Sequence, residues 1–213
     1  MSENVLTSNS QTIYVVDDDQ DVRESLKWLL ESVGLQVSCY DTAMAFFEQY
    51  PKDAAGCIVM DVRMPGMSGI SAQKKLADHH IDLPVIMISA HGNIDMAVTA
   101  MTQGAVTFIE KPFDDQTLID YVQAALDKDA KRRIKQQELS GKQAHYDSLT
   151  KRERQVFELV VKGLSNQEMA DELGINKKTV EGHRAHMMAK MEAGSLPELI
   201  HIALSLGLIS SLD

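Results

Sequence analysis

From Thr12 to about Ala125 the chain alternates short apolar runs with stretches in which apolar residues recur every three to four positions. The runs TIYVV, LQVSC, GCIVM, PVIMIS and AVTFI are rich in β-branched residues and have the length of strands. Helical patterns follow them at 20–33, 42–49, 68–78, 93–103 and from 114 onward. Five βα units predict an α/β fold with a doubly wound, five-stranded parallel sheet, whose strands are apolar throughout because helices cover both faces. Such a sheet places its site beyond the carboxyl ends of the strands, so chemistry is expected just after each run.

The segment DKDAKRRIKQQELSGKQAHYD, residues 127–147, loses the apolar periodicity, carries a basic run and contains Gly141. It reads as a helix extension passing into a linker. Only helical patterns come after it, at 150–162, 165–172, 176–191 and 195–208, with Thr150, Ser165, Asn176 and Ser195 placed to cap their amino ends. The expected division is an α/β domain over 11–126, the extension and linker over 127–147, and an all-α domain over 148–213.

Composition sharpens this picture in three ways. A chain of 213 residues with 44% apolar content suits two small cores better than one. Cys39 and Cys57 lie inside apolar runs, away from other cysteine or histidine clusters, which fits a reducing compartment and a packing role in the sheet. No apolar run has the length of a membrane span, and MSENVLTSNSQ has neither the basic start nor the apolar stretch of a signal peptide, so a cytoplasmic location is expected, without membrane contact. The net charge of -10 is unevenly spread: residues 1–125 hold 18 acids against 7 bases, while 176–190 carries Lys177, Lys178, Arg184 and Lys190 against Glu181 alone. A phosphate backbone would meet the second region, not the first.

Asp17, Asp18 and Asp19 follow the first predicted strand, Asp61 the third, Ser89 the fourth and Lys111 the fifth. Carboxylates gathered at one sheet end repel unless a cation neutralises them, and an all-oxygen set suits a hard ion such as Mg²⁺. An ammonium and a hydroxyl beside them can hold a phosphoryl group, so the constellation suits a carboxylate nucleophile that accepts phosphate. Taken singly, a DDD run is an ordinary turn or helix cap; the order of all four strand ends is what carries weight. An EF-hand loop beginning at Asp17 is excluded because its sixth and twelfth positions hold Val22 and Trp28.

YVVDDD, VMDVRMPGMSG, VIMISAHG and FIEKPF resemble, in that order, the receiver domains of two-component response regulators, with their CheY-like fold. The resemblance covers about 115 residues and implies Asp61 as phosphoacceptor. It implies Mg²⁺ held by Asp18, Asp61 and the backbone carbonyl of Arg63, with Asp17 assisting through water. Lys111 would pair with the phosphate, Ser89 would supply the hydroxyl that follows phosphorylation, and Phe108 would stand at the aromatic switch position. Arg63 and His91 occupy positions that, in receivers, flank the attacking water; His91 by itself reads as a surface loop residue. The implied chemistry is confined to self-phosphorylation and self-dephosphorylation. A haloacid-dehalogenase-type phosphatase would carry a second aspartate where Arg63 stands.

In NQEMADELGINKKTV, beginning at Asn166, small Ala170, Gly174 and apolar Val180 have the spacing of a helix-turn-helix: close helix approach, a tight turn and a sealing contact. The wider stretch from Leu149 to Met191 resembles the LuxR-type DNA-binding domain, and the two halves together resemble a FixJ/NarL-type response regulator. That resemblance puts the helix from about Asn176 to Met191 in the major groove and makes the last helix a dimer contact. Val180, Met187 and Met191 form its apolar stripe, leaving Lys177, Lys178, Thr179, Glu181, Gly182, Arg184 and Ala185 for DNA. The cations would meet phosphates and Glu181 a cytosine amino group, while Gly182 departs from the larger apolar residue the family leads one to expect. His183 and His186 have metal-like spacing but no acidic or cysteine partner nearby.

The function expected is a transcription regulator that takes a phosphoryl group on Asp61 from a sensor histidine kinase, forms a homodimer and binds double-stranded promoter DNA, with RNA polymerase as a further partner. Two alternatives stand beside it: a phosphorelay intermediate without DNA binding, and an aspartyl-phosphate phosphatase.

Overall fold

The computed structural model describes residues 11–90 and 92–209, and the chain divides after Arg132 into two compact units. The first contains β1 (Thr12–Val16), α1 (Gln20–Ser32), β2 (Gln36–Tyr40), α2 (Ala43–Gln49), β3 (Gly56–Asp61), α3 (Gly69–Lys75), β4 (Val85–Ser89), α4 (Ile94–Thr102) and β5 (Thr107–Glu110). The strands pair in parallel in the order β2-β1-β3-β4-β5.

Strand alternation explains why both faces are covered. On β1, Tyr14 and Val16 point into a core with Phe46 of α2, Ala72 of α3 and Ala100 of α4. Ile13 and Val15 point the other way, onto Leu26 and Leu30 of α1 and onto Leu118, Val122 and Ala125. A strand buried on both sides has to be apolar at every position. Cys57 lies in this second core, where burial first and Asp129 second push its thiol up to about 12. Cys39 departs from expectation: it is exposed, because β2 is an edge strand that packs with less cover.

Helix α5 runs from Asp115 to Asp147. Its first part buries Leu118, Val122, Ala125 and Leu126, and there the apolar stripe ends. The segment expected as extension and linker is helical, with Gly141 inside it at a cost of about 1 kcal/mol. Lys, Arg, Gln and Glu are good helix formers, so this stretch keeps its helix without a stripe. Asp129 is fully buried at the amino end of the sheet, where it accepts the Gly56 amide at 2.9 Å and pairs with Arg132, which also reaches Asp82 at 2.9 Å.

The second unit adds α6 (Lys151–Val161), α7 (Asn166–Leu173), α8 (Lys177–Lys190) and α9 (Leu196–Ser205). Thr150, Ser165, Asn176 and Ser195 are their N-caps, each accepting a backbone N–H three residues on; Thr150 with Glu153 and Ser165 with Glu168 complete capping boxes. Gly174 ends α7 at φ +65°, the left-handed turn that lets α8 fold back. Val156, Phe157, Met169, Ala170, Val180, Met187 and Leu199 form the core. Among the described residues no helix is long and apolar enough to cross a membrane.

Candidate functional site

The strand order reverses between β1 and β3, and a crevice opens where neighbouring chains leave the sheet in opposite directions. Asp17 and Asp61 stand on either side of it, 2% and 6% exposed. The Lys111 ammonium bridges them, 2.8 Å from Asp17 Oδ2 and 3.0 Å from Asp61 Oδ1. The Lys111 amide donates to the Ser89 carbonyl at 2.8 Å, so the sheet itself sets the lysine beside the β4 hydroxyl. The Arg63 amide donates to Asp61 Oδ2 at 2.6 Å and the Asp19 amide to Asp17 Oδ1 at 2.9 Å.

The DDD run divides into three tasks. Asp17 is buried in the cluster, Asp18 is exposed at its rim, and Asp19 caps α1 by accepting the Asp21 and Val22 amides. The cap reading was right for one aspartate of the three.

Asp17, Asp18, Asp61, Arg63, Ser89 and Lys111 all line one cavity of about 260 Å³. Burial pushes the Asp61 carboxyl up, and the Lys111 and Arg63 hydrogen bonds do not fully offset it, with Asp17 adding repulsion. Burial works against the Lys111 charge, yet its hydrogen bonds to Asp17 and Asp61 prevail and hold the ammonium above its ordinary range. Among the described residues no three acidic, histidine or cysteine side chains converge as a ready-made metal shell. The donor chemistry nevertheless fits a hard cation: the carboxylates of Asp17, Asp18, Asp19 and Asp61 line the cavity, and no histidine or cysteine stands among its described lining residues.

Phe108 is half-buried against the core that also holds Met87 and Ala100. His91 lies outside the described residues. A larger cavity, about 780 Å³, lies between α1 and the chain after β5, lined by Val22, Leu29, Trp28, Pro112, Phe113 and the same Lys111. Trp28 is 74% exposed. Reading the sequence missed it, since it sits on α1 away from the stripe of Leu26 and Leu30; being the only tryptophan, on an acidic helix face, was the available signal.

In the second unit Val180, Met187 and Met191 are buried, which turns Lys177, Lys178, Thr179, Glu181, Gly182 and Ala185 outward on α8. Arg184 differs: it is half-buried and donates to Asn166 Oδ1 at 2.9 Å, leaning on the start of α7. A side chain at Gly182 would meet nothing within 4 Å, so the fold places no steric demand for glycine there. His183 is half-buried and His186 exposed.

A five-stranded parallel sheet with a buried acid–lysine cluster at its switch point, together with a helix-turn-helix unit, defines a class, and comparison with known proteins agrees. Residues 13–123 match the family described as response regulator receiver domain, and 147–203 match bacterial regulatory proteins, luxR family. The chain belongs to the response regulators that combine these two domains, phosphorylation-activated transcription regulators that bind DNA. It is 44% identical over 204 residues to the transcriptional regulatory protein FixJ of Azorhizobium caulinodans, covering 96% of this chain and 97% of that protein. Nodulation protein W of Bradyrhizobium diazoefficiens is 42% identical over 201 residues, covering 94% of this chain and 88% of that one. Among solved structures, response regulator StyR is similar with a TM-score of 0.84 at 42% identity, covering 91% of this chain and 98% of the other.

Proposed function

We propose that Asp61 takes a phosphoryl group from a sensor histidine kinase, and that the aspartyl phosphate drives dimerisation and binding to promoter DNA through α8. The observation carrying this reading is the single open cavity that gathers Asp17, Asp18, Asp61, Ser89 and Lys111, with Asp61 buried and incompletely compensated. An Asp61 oxygen forms the new bond to phosphorus while the bond from phosphorus to the donor nitrogen breaks, its electron pair leaving with the donor. Lys111, 3.0 Å from Asp61 Oδ1, stands beside the developing charge, and Ser89 offers a hydroxyl to a phosphoryl oxygen. Asp18, Asp61 and the Arg63 carbonyl would hold Mg²⁺, with Asp17 behind them. When bound, the ion supplies neutralisation of the phosphoryl oxygens. Water attacking the same phosphorus returns Asp61, so the catalysis acts on the chain itself. The groove beside Trp28 shares Lys111 with the cavity and gives the kinase an apolar surface adjoining the acceptor.

Ile94, Val98 and Met101 lie on one face of α4, 82%, 58% and 47% exposed, an apolar stripe that supports self-association there. Two copies of α8 then address an inverted repeat with half-sites about one helical turn apart. A cytoplasmic location and contact with RNA polymerase at the promoter follow from the same reading. The LuxR-family match disfavours a relay that never meets DNA.

Treatment of the whole chain with acetyl phosphate and Mg²⁺ tests the proposal. One acid-labile phosphoryl group per chain, a rise in sedimenting mass to the dimer and tighter DNA binding are expected; labelling without the other two changes would reduce the protein to a relay. In DNA titrations, Lys178→Ala should weaken all sequences alike and flatten the salt dependence, whereas Glu181→Ala should relax discrimination at one base pair.

A further inference from the structure

Arg184 lies four positions after Val180 and three before Met187, the two side chains buried along α8. Helix periodicity therefore sets Arg184 along the packed stripe, whereas Lys178, Glu181 and Ala185 are exposed on the other side. Its Nη1 donates to Asn166 Oδ1 at 2.9 Å, and both residues are half-buried. Asn166 is the first residue of α7, which has eight residues, about 12 Å of helix. At the far end of α7, Gly174 makes the left-handed turn and the Ile175 amide donates to the Ala170 carbonyl at 3.1 Å. Between these ends Ala170 and Val180 share the core. The two helices are thus joined by the chain at one end of α7 and by the bond from Arg184 to Asn166 at the other.

We propose that Arg184 is a positioning residue for sequence recognition: by bracing the amino end of α7 it fixes the angle at which α8 meets the base edges. Two helices joined at a turn and packed on a small residue can rotate about that contact. The resulting displacement grows with distance from the turn, so a tie at Asn166 has the longest lever. In a helix-turn-helix the first helix crosses the DNA backbone while the second reads bases. A changed angle between them moves the reading side chains out of register with the phosphates that anchor the module. A hydrogen bond from a charged donor, partly shielded from water, is among the stronger ties a side chain makes. With its guanidinium engaged by Asn166, Arg184 serves discrimination between sequences, and the salt-dependent attraction falls to cations such as Lys178. This inference rests on the proposed DNA-binding role of α8.

The test uses the full chain treated with acetyl phosphate and Mg²⁺, titrated with two duplexes at several salt concentrations. One duplex is selected from random sequence by the wild-type chain; the other has the same length and a scrambled sequence. Arg184→Ala should lose about 10-fold on the selected duplex and little on the scrambled one, with the salt slope of the wild type. Lys178→Ala, by contrast, should lose affinity on both and flatten the slope by about one unit. Asn166→Ala should match Arg184→Ala, and the double variant should be no worse than either. Asn166→Asp keeps the acceptor, so it should keep the wild-type ratio between duplexes while its negative charge weakens both. An Arg184→Ala protein that behaves as Lys178→Ala overturns the inference, as do additive losses in the double variant. A loss equal on both duplexes that follows a lowered thermal midpoint overturns it too. If Arg184→Ala does not fold, Asn166→Ala against Asn166→Asp decides alone: a ratio lost in the first and kept in the second supports the brace, and equal ratios overturn it. Wild-type protein that selects no sequence overturns the reading of α8 together with this inference; selection by the wild type beside an unchanged ratio in Arg184→Ala overturns the inference alone.

Discussion

Asp61 in the first unit and Glu153 in the second are both buried carboxylates that receive a lysine ammonium, at 3.0 Å from Lys111 and 2.7 Å from Lys190. Their protons are nonetheless biased in opposite directions. The Lys190 hydrogen bond, then the Thr150 amide, outweigh burial and hold the Glu153 carboxyl down to about 2. At Asp61 burial is the largest influence and the carboxyl is pushed up, since its lysine is shared with Asp17 and the second acid repels it. Glu153 completes a capping box and a core; Asp61 faces a cavity. A buried charge with ample donors serves the fold, whereas one with too few marks a candidate ligand site. Asp129 is of the first kind, closed by the Gly56 amide and Arg132 at the opposite end of the same sheet from Asp61.

The sharpest way to break this contrast is Asp61→Asn. Labelling by acetyl phosphate should fall to background, because an amide is a poor nucleophile and cannot neutralise the cation. Stability should not fall with it. A raised carboxyl means the ionised form is disfavoured by folding at neutral pH, so removing the charge should leave the thermal midpoint unchanged or higher. Lost labelling accompanied by a strongly lowered midpoint would make Asp61 a structural acid like Asp129.

Asp129→Ala should do the reverse. It removes the acceptor of the buried Gly56 amide and leaves Arg132 with Asp82, a loss of about 1–3 kcal/mol in denaturant unfolding of the receiver unit. Labelling per folded molecule should be unchanged, as Asp61 lies at the other end of β3. A stable Asp129→Ala protein with poor labelling would contradict the division of roles.

These two acids also mark what a sequence can disclose. Asp17 and Asp61 were legible because strand ends are legible: uninterrupted apolar runs locate the sheet, and the fold rule converts their last residues into neighbours. The four helix caps of the second unit were legible for a similar reason, as capping is decided within three or four residues. Asp129 was hidden in a charged, aperiodic stretch and gains its meaning from an amide 73 positions away. The groove beside Trp28 is likewise a tertiary fact. Cys39 misled because a β-rich run does not announce whether its strand is at the edge.

Glu153→Gln should produce a smaller loss, about 1 kcal/mol, by weakening the capping box and the Lys190 pair. Its signature lies in the pH dependence. The folded-state carboxyl titrates near 2 and the ordinary value is 4.5, so the stabilisation is complete above the ordinary value and disappears as pH falls from about 4.5 to 2. Hydrogen exchange of the α6 and α8 amides across this window should show wild type losing protection more steeply than Glu153→Gln. Equal slopes would mean that Glu153 is not closed in the sense argued above.

Gly182→Ala carries the smallest effect and extends the contrast from acids to a residue with no side chain. Glycine inside a helix is less favourable than alanine by about 1 kcal/mol, through its greater freedom in the unfolded chain. An added Cβ meets nothing within 4 Å, and the position is exposed on α8 between Lys178 and Ala185, so no packing penalty opposes the gain. The variant should therefore be more stable by about that amount in denaturant titrations. On DNA the proposed role of α8 reverses the expectation, because the methyl would enter the space between α8 and the base edges on the face that Gly182 shares with Lys178 and Ala185. Affinity for the preferred site should drop more than affinity for unrelated DNA, with the salt dependence unchanged since no phosphate contact is lost. A uniform change across all sequences would place Gly182 away from the bases, and a loss of stability would show that glycine is kept there by the fold, as Asp129 is.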